Sequence, residues 1–241
     1  MGSFFAGIKA GTLSGIVYVG LIAAFSVVVL YALKQDALRT ISQLNQTYCP
    51  MTPTVNGSAE DCFSSIVAVY VPFDAFVGFF VALLYAGIFG MYYEAFPGNG
   101  PTAKGLIIAA VVGFSLVFFG FGGYVFDTEA AALTIAAIIP LTLLFGYLLG
   151  RFYKKYTRTV AFSTQDSALL KILVDGRDVT GKTRTFATTS NHKLRANVAD
   201  DASFKDWAPS GGVSLEDQRS FETVMEVNGD GALNAKVGKK Y

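Results

Sequence analysis

The chain changes its hydrophobic pattern partway along. Up to about residue 157, apolar residues come in long unbroken runs; beyond it they come in short runs between turn residues. Four runs reach the length needed to span a bilayer, about 20 residues. They cover about 11–33, 69–93, 105–126 and 130–150, and none contains Lys or Arg. Backbone polar groups in hydrocarbon must pair within their own segment, so these runs predict helices. The first run is too long for a cleaved leader, and no small-residue cleavage site followed by a polar stretch ends it.

The tail has a different period. Residues 158–167 read as a linker after a basic stop segment. Short β-like runs follow at 169–174, 183–189, 192–198, 213–215, 221–227 and 232–237. They are separated by Asp175-Gly176, Ser190-Asn191, Asp200-Asp201, Ser210-Gly211-Gly212 and Asn228-Gly229-Asp230-Gly231, residues that favour turns. The predicted architecture is a membrane bundle of four transmembrane helices over 1–157, then a small all-β, sandwich-like domain over 168–241. Phe204 and Trp207 are the expected anchors of its core.

Composition sharpens this division. Hydrophobic residues make up 52% and charged residues 15% of the 241, against about 25% charged in average soluble domains. Residues 1–157 hold 14 charged side chains and residues 158–241 hold 23. The balance excludes disorder and collagen, and a net charge of +1 gives no attraction to nucleic acid.

Lys and Arg set the orientation. Lys9, Lys104, Arg151, Lys154, Lys155 and Arg158 would share one side, against Lys34 and Arg39 on the other. That predicts both termini in the cytoplasm and loop 34–68 outside. This loop carries Cys49 and Cys62, a pair that suggests a disulfide in an oxidising compartment. It also carries glycosylation triplets at Asn45 and Asn56.

Small residues recur at spacings of four: Gly7, Gly11 and Gly15 near the start, Gly146 and Gly150 in the fourth run. Such faces allow close helix packing, within the bundle or between two copies. The segments ending Tyr92-Tyr93 and Phe152-Tyr153 share a pattern of glycines and aromatics, which suggests two related helical hairpins. Asp74 is the one candidate polar site within a span, in Val71-Pro72-Phe73-Asp74. It reads either as a helix start after Pro72 or as a cation site of a small transporter or channel built from oligomerised bundles.

Two stretches resemble known groups. Gly87 and Gly90 followed by Glu94-Ala95-Phe96-Pro97-Gly98-Asn99-Gly100-Pro101-Thr102-Ala103-Lys104-Gly105 resemble small uncharacterised prokaryotic, often archaeal, multi-pass membrane proteins. Val174-Asp175-Gly176, His192 to Ala196, Phe204-Lys205-Asp206-Trp207, Gly211-Gly212-Val213 and Val227 to Ala235 resemble the repeat-type β domains of prokaryotic surface proteins, including internalin B-repeat-like modules. The second resemblance implies an adhesive, spacer or interaction role. This chain departs from it in holding one copy, on the side the charge bias places inside.

No P-loop, dinucleotide fingerprint, zinc spacing or nucleophile elbow occurs. His192 is the single histidine, which excludes a His-rich metal site, and no motif marks it as part of a triad. The expectation is a membrane protein without enzymatic activity, cofactor or metal, embedded in lipid and presenting a β module to a protein partner.

Overall fold

The computed structural model describes residues 3–35, 38–39, 58–120 and 128–239, with the backbone alone at 115–120, 128–135 and 137. Among the described residues, four long helices come first: α1 (Phe4–Ala32), α2 (Ala59–Tyr92), α3 (Pro101–Gly120) and α4 (Thr128–Tyr156). Seven strands follow: β1 (Thr157–Thr164), β2 (Leu170–Val174), β3 (Arg177–Asp178), β4 (Thr183–Ala187), β5 (Ser190–Val198), β6 (Ala202–Leu215) and β7 (Glu222–Lys239).

The helices start earlier than the apolar runs imply, because capping residues set their ends. The Ser3 hydroxyl accepts the Ala6 N–H at 3.2 Å and opens α1. Ser58 and Asp61 form a reciprocal capping box that opens α2 ten residues before the expected Val69. Pro72 and Asp74 are therefore inside α2, and the reading of Pro72-Phe73-Asp74 as a helix start is corrected. Among the described residues, α1 and α2 are long and apolar enough to cross a membrane.

The glycine faces pack within the chain. A Cβ on Gly7 would overlap the Ala86 carbonyl, and one on Gly90 would overlap the Ser3 carbonyl. In the second hairpin, a Cβ on Gly105 would overlap the Gly146 carbonyl, and one on Gly150 the Pro101 carbonyl. Ser3, Gly7, Ala86 and Gly90 of the first hairpin thus occupy the places of Pro101, Gly105, Gly146 and Gly150 in the second. The two hairpins share a packing scheme as well as a sequence pattern. They join where α1 rests on α4, with Tyr18 and Phe145 rings 5.2 Å apart.

The β domain differs from a sandwich. Its strands form one mixed sheet, in the order β3-β2-β5-β7-β1-β4, with β6 also paired to β7, and the sheet curls into a half-barrel. Two local readings change as a result. The expected linker at 158–167 contains β1, which enters the sheet directly from α4 and pairs in parallel with β7, from Val160↔Gly231 to Thr164↔Ala235. Asn228-Gly229-Asp230-Gly231 is no hairpin turn; it lies inside the 18-residue strand β7.

Those glycines serve a close approach of backbones. β7 pairs with β5 over its first part and with β1 over its last, while β6 follows its other edge with a bulge between Gly211 and Val213. At the change of partner, a Cβ on Gly212 would overlap the Gly229 backbone, and one on Gly231 the Ser210 carbonyl. Gly211 has φ +68°, a left-handed conformation that favours glycine. Bulges and glycines of this kind let a strand pair bend sharply, and here they curl the sheet around its core.

The core gathers Phe162, Ile172, Phe186, Leu194, Trp207 and Leu233. Trp207 is fully buried, donates its indole N–H to the Ser220 carbonyl at 2.9 Å and lies 5.0 Å from the Phe204 ring. Phe204 is partly buried at the core's margin.

Candidate functional site

The sequence-predicted positions do not converge. Cys49, Asn45 and Asn56 lie outside the described residues. Cys62 is buried in the first turn of α2, beside Phe63. Asp74 is exposed on α2 and meets none of the other candidates. Among the described residues, no group of three or more His, Cys, Asp or Glu could hold a metal ion.

The most developed polar site is the junction between helices and sheet. Tyr153 is fully buried in α4; its hydroxyl accepts the Ser3 N–H at 3.2 Å and donates to the Gly90 carbonyl at 3.5 Å, tying α4 to the start of α1 and the end of α2. Its ring lies 4.7 Å from Tyr93 and 5.1 Å from Phe89. Lys104 donates to the Tyr93 carbonyl at 2.9 Å, with its ammonium 4.4 Å from the Tyr93 ring centre.

Glu94, next in the chain, reaches across to the sheet. Its carboxylate pairs with the Arg184 guanidinium and accepts the Thr185 backbone N–H at 3.1 Å, both on β4. The two side chains are 22% and 29% exposed, so water screens the pair only in part. On the adjoining strand, Asp230 accepts the Thr159 N–H at 2.7 Å and its hydroxyl at 3.0 Å. Thr188 N–H donates to the Tyr156 carbonyl at 3.0 Å, and the Thr157 hydroxyl to the Tyr153 carbonyl at 2.8 Å. Helical bundle and sheet are therefore joined by a continuous chain path and by a lateral lock.

The lock depends on pH in a defined direction. Burial alone would raise the Glu94 pKa; donors that include the Thr185 N–H and the Arg184 guanidinium outweigh burial and hold it below the ordinary 4.5. A depressed folded-state pKa means the lock stabilises fully above about 4.5 and weakens as pH falls through the folded value. Asp230 is held low chiefly by the Thr159 N–H and acts with the same sign. The protection of the Thr185 amide, its exchange rate set against that of an unstructured amide at the same pH, is therefore expected to fall on acidification below 4.5. The Glu94→Gln variant should show low protection already at neutral pH; unchanged protection in both would refute the lock.

A second polar chain was missed by sequence reasoning. His192 Nδ1 lies 2.7 Å from Asp175 Oδ2, and its Nε2 lies 2.9 Å from Ser190 Oγ. Ser190 Oγ also lies 2.6 Å from the Ala187 carbonyl, which takes the hydroxyl hydrogen. A nucleophilic serine must instead direct that hydrogen to the imidazole. The arrangement suits a closure: it stitches the β2–β3 turn to the start of β5, where Asp175 also accepts the Lys193 N–H at 3.0 Å and Phe186 stacks 4.6 Å from the imidazole. Ser190 and His192, two apart on a strand, share a face. Asp175 arrives from the β2–β3 turn, so no local motif announced it.

A shallow groove lies elsewhere on the domain. It is lined by Lys193, Glu216, Asp217, Glu222 and neighbours, beside the exposed Phe221. Phe221 lies beside the β5–β7 pairing, where its carbonyl accepts the Ala196 N–H at 2.8 Å. Set against family models, curated proteins and solved structures, the chain matches none.

Proposed function

We propose that this protein is a non-enzymatic, multi-pass membrane protein that holds a β module at a fixed pose for a protein partner, as an accessory or scaffolding subunit. The observation that carries this reading is the junction. Glu94 grips Arg184 and Thr185, and α4 passes into β1 with no intervening residue. A tethered enzyme or a floppy adhesive tail has no need of such rigidity; a presented surface does.

In this reading all four helices cross the bilayer, both termini are cytoplasmic, and the loop with Cys49, Cys62, Asn45 and Asn56 is outside. The presented surface is the one around Phe221 and the acidic groove. A photo-crosslinking residue placed at Phe221 in cells should give a discrete polypeptide adduct, and one at the outward-facing Val111 should give none. Absence of an adduct at 221, or cation flux into proteoliposomes that Asp74→Asn abolishes, would overturn the proposal in favour of a transport function.

A further inference from the structure

The last turns of α4 carry a charged face that neither the bundle nor the sheet uses. Tyr147, Arg151, Lys154 and Lys155 are exposed on one face of the helix, at spacings of four and three, and Arg158 follows at the start of β1. No Asp or Glu occurs between Glu129 and Asp166. Among the described residues, Arg151, Lys154 and Lys155 make no ion pair. Of the nearby acids, Glu94 is paired with Arg184, while Asp230, bonded to Thr159, also feels the charges of Arg158 and Lys154. Arg158 is partly spent on the helix end, donating to the carbonyls of Lys155 at 3.2 Å and Thr157 at 2.8 Å.

Depth gives these charges a meaning. The apolar run of α4 ends at Gly150, and the Arg151 guanidinium lies 3.4 Å from the Tyr147 hydroxyl, an aromatic of the kind that marks the edge of the hydrocarbon. From Arg151 to Lys155 a helix rises about 6 Å. That matches the thickness of the polar layer on each side of a bilayer, roughly 5–7 Å. Three cations, none of them in an ion pair among the described residues, thus stand at the depth of lipid phosphates.

We propose that the Arg151–Lys154–Lys155 face binds the phosphate of an anionic phospholipid headgroup. The inference rests on the reading of α4 as a membrane span, and it holds whichever leaflet this end meets. Each cation near a membrane surface is worth roughly fivefold in affinity, so the three together should give selectivity of about tenfold or more over a zwitterionic lipid.

The test titrates the full-length protein in detergent micelles with phosphatidylglycerol or phosphatidylcholine and counts bound lipids by native mass spectrometry. Phosphatidylglycerol is expected to bind about tenfold tighter or more, with the preference lost in the triple variant Arg151→Gln, Lys154→Gln, Lys155→Gln. If that variant does not fold, the wild-type preference must instead collapse with added salt, which screens this attraction. Equal binding of both lipids, a preference unaffected by the variant or by salt, or displacement by equimolar inorganic phosphate would each overturn the proposal, the last by marking a site for free anions. A full-length protein that stays monodisperse without detergent would refute the membrane reading itself, a separate result seen before any lipid is added.

Discussion

Gly146→Val is expected to separate α3 from α4 and to destabilise the detergent-solubilised protein by about 3 kcal/mol or more, the range of severe overpacking. The new side chain would run into the Gly105 carbonyl, which is backbone, and into the Ala109 Cβ, which cannot swing away. Relief requires the whole interface to part. A thermal midpoint measured beside Gly20→Ala makes the comparison sharp. Gly20 has open space where its Cβ would go, so that variant should stay within about 0.5 kcal/mol of wild type or gain slightly from helix propensity. Similar midpoints for the two variants would show that the hairpin does not close on these glycines.

The second large effect is expected at the strand crossing. Gly212→Val would place its side chain in the Gly229 backbone, at the point where β7 exchanges β5 for β1. A loss of about 3 kcal/mol or more is expected, because the bulge, the bend and the parallel β1–β7 pairing all depend on that approach. The readout is built into the protein. Trp207 is the single tryptophan and is buried in the sheet's core, so its emission reports this domain alone. In denaturant, Gly212→Val should red-shift the emission at much lower concentration than wild type. Gly176→Ala, in open space at φ +78°, should cost only the left-handed penalty of about 1–2 kcal/mol. A Gly212→Val transition no earlier than that of Gly176→Ala would contradict the crossing.

These two sites show what could be read from sequence and what could not. The helices were legible because uncharged runs of that length have few other uses, and the glycine spacing announced a close face, though not its partner. The strand crossing was misread for a chemical reason. Asn-Gly-Asp-Gly is good turn chemistry, and the absent side chains that permit a turn equally permit two backbones to touch. Only pairing partners remote in sequence decide between the two uses. The same holds for β1. Val160 and Phe162 alternate inward as a strand should, but the segment becomes a strand by pairing with residues some seventy positions away. Glu94 and Arg184 are ninety residues apart, and Asp175 meets His192 from a neighbouring turn, so neither constellation leaves a local signature. His192, which no motif marked, is the centre of a polar closure.

The direct passage of α4 into β1 has a mechanical corollary. A helix advances about 100° per residue around its axis, and a strand leaving it without slack inherits that azimuth. The surface around Phe221 is thus aimed by the roll of α4, as the blade of a key is aimed by its shank, with Glu94 holding that roll in place. A small twist of α4 would sweep the surface through an arc, while a piston-like shift would merely raise or lower it.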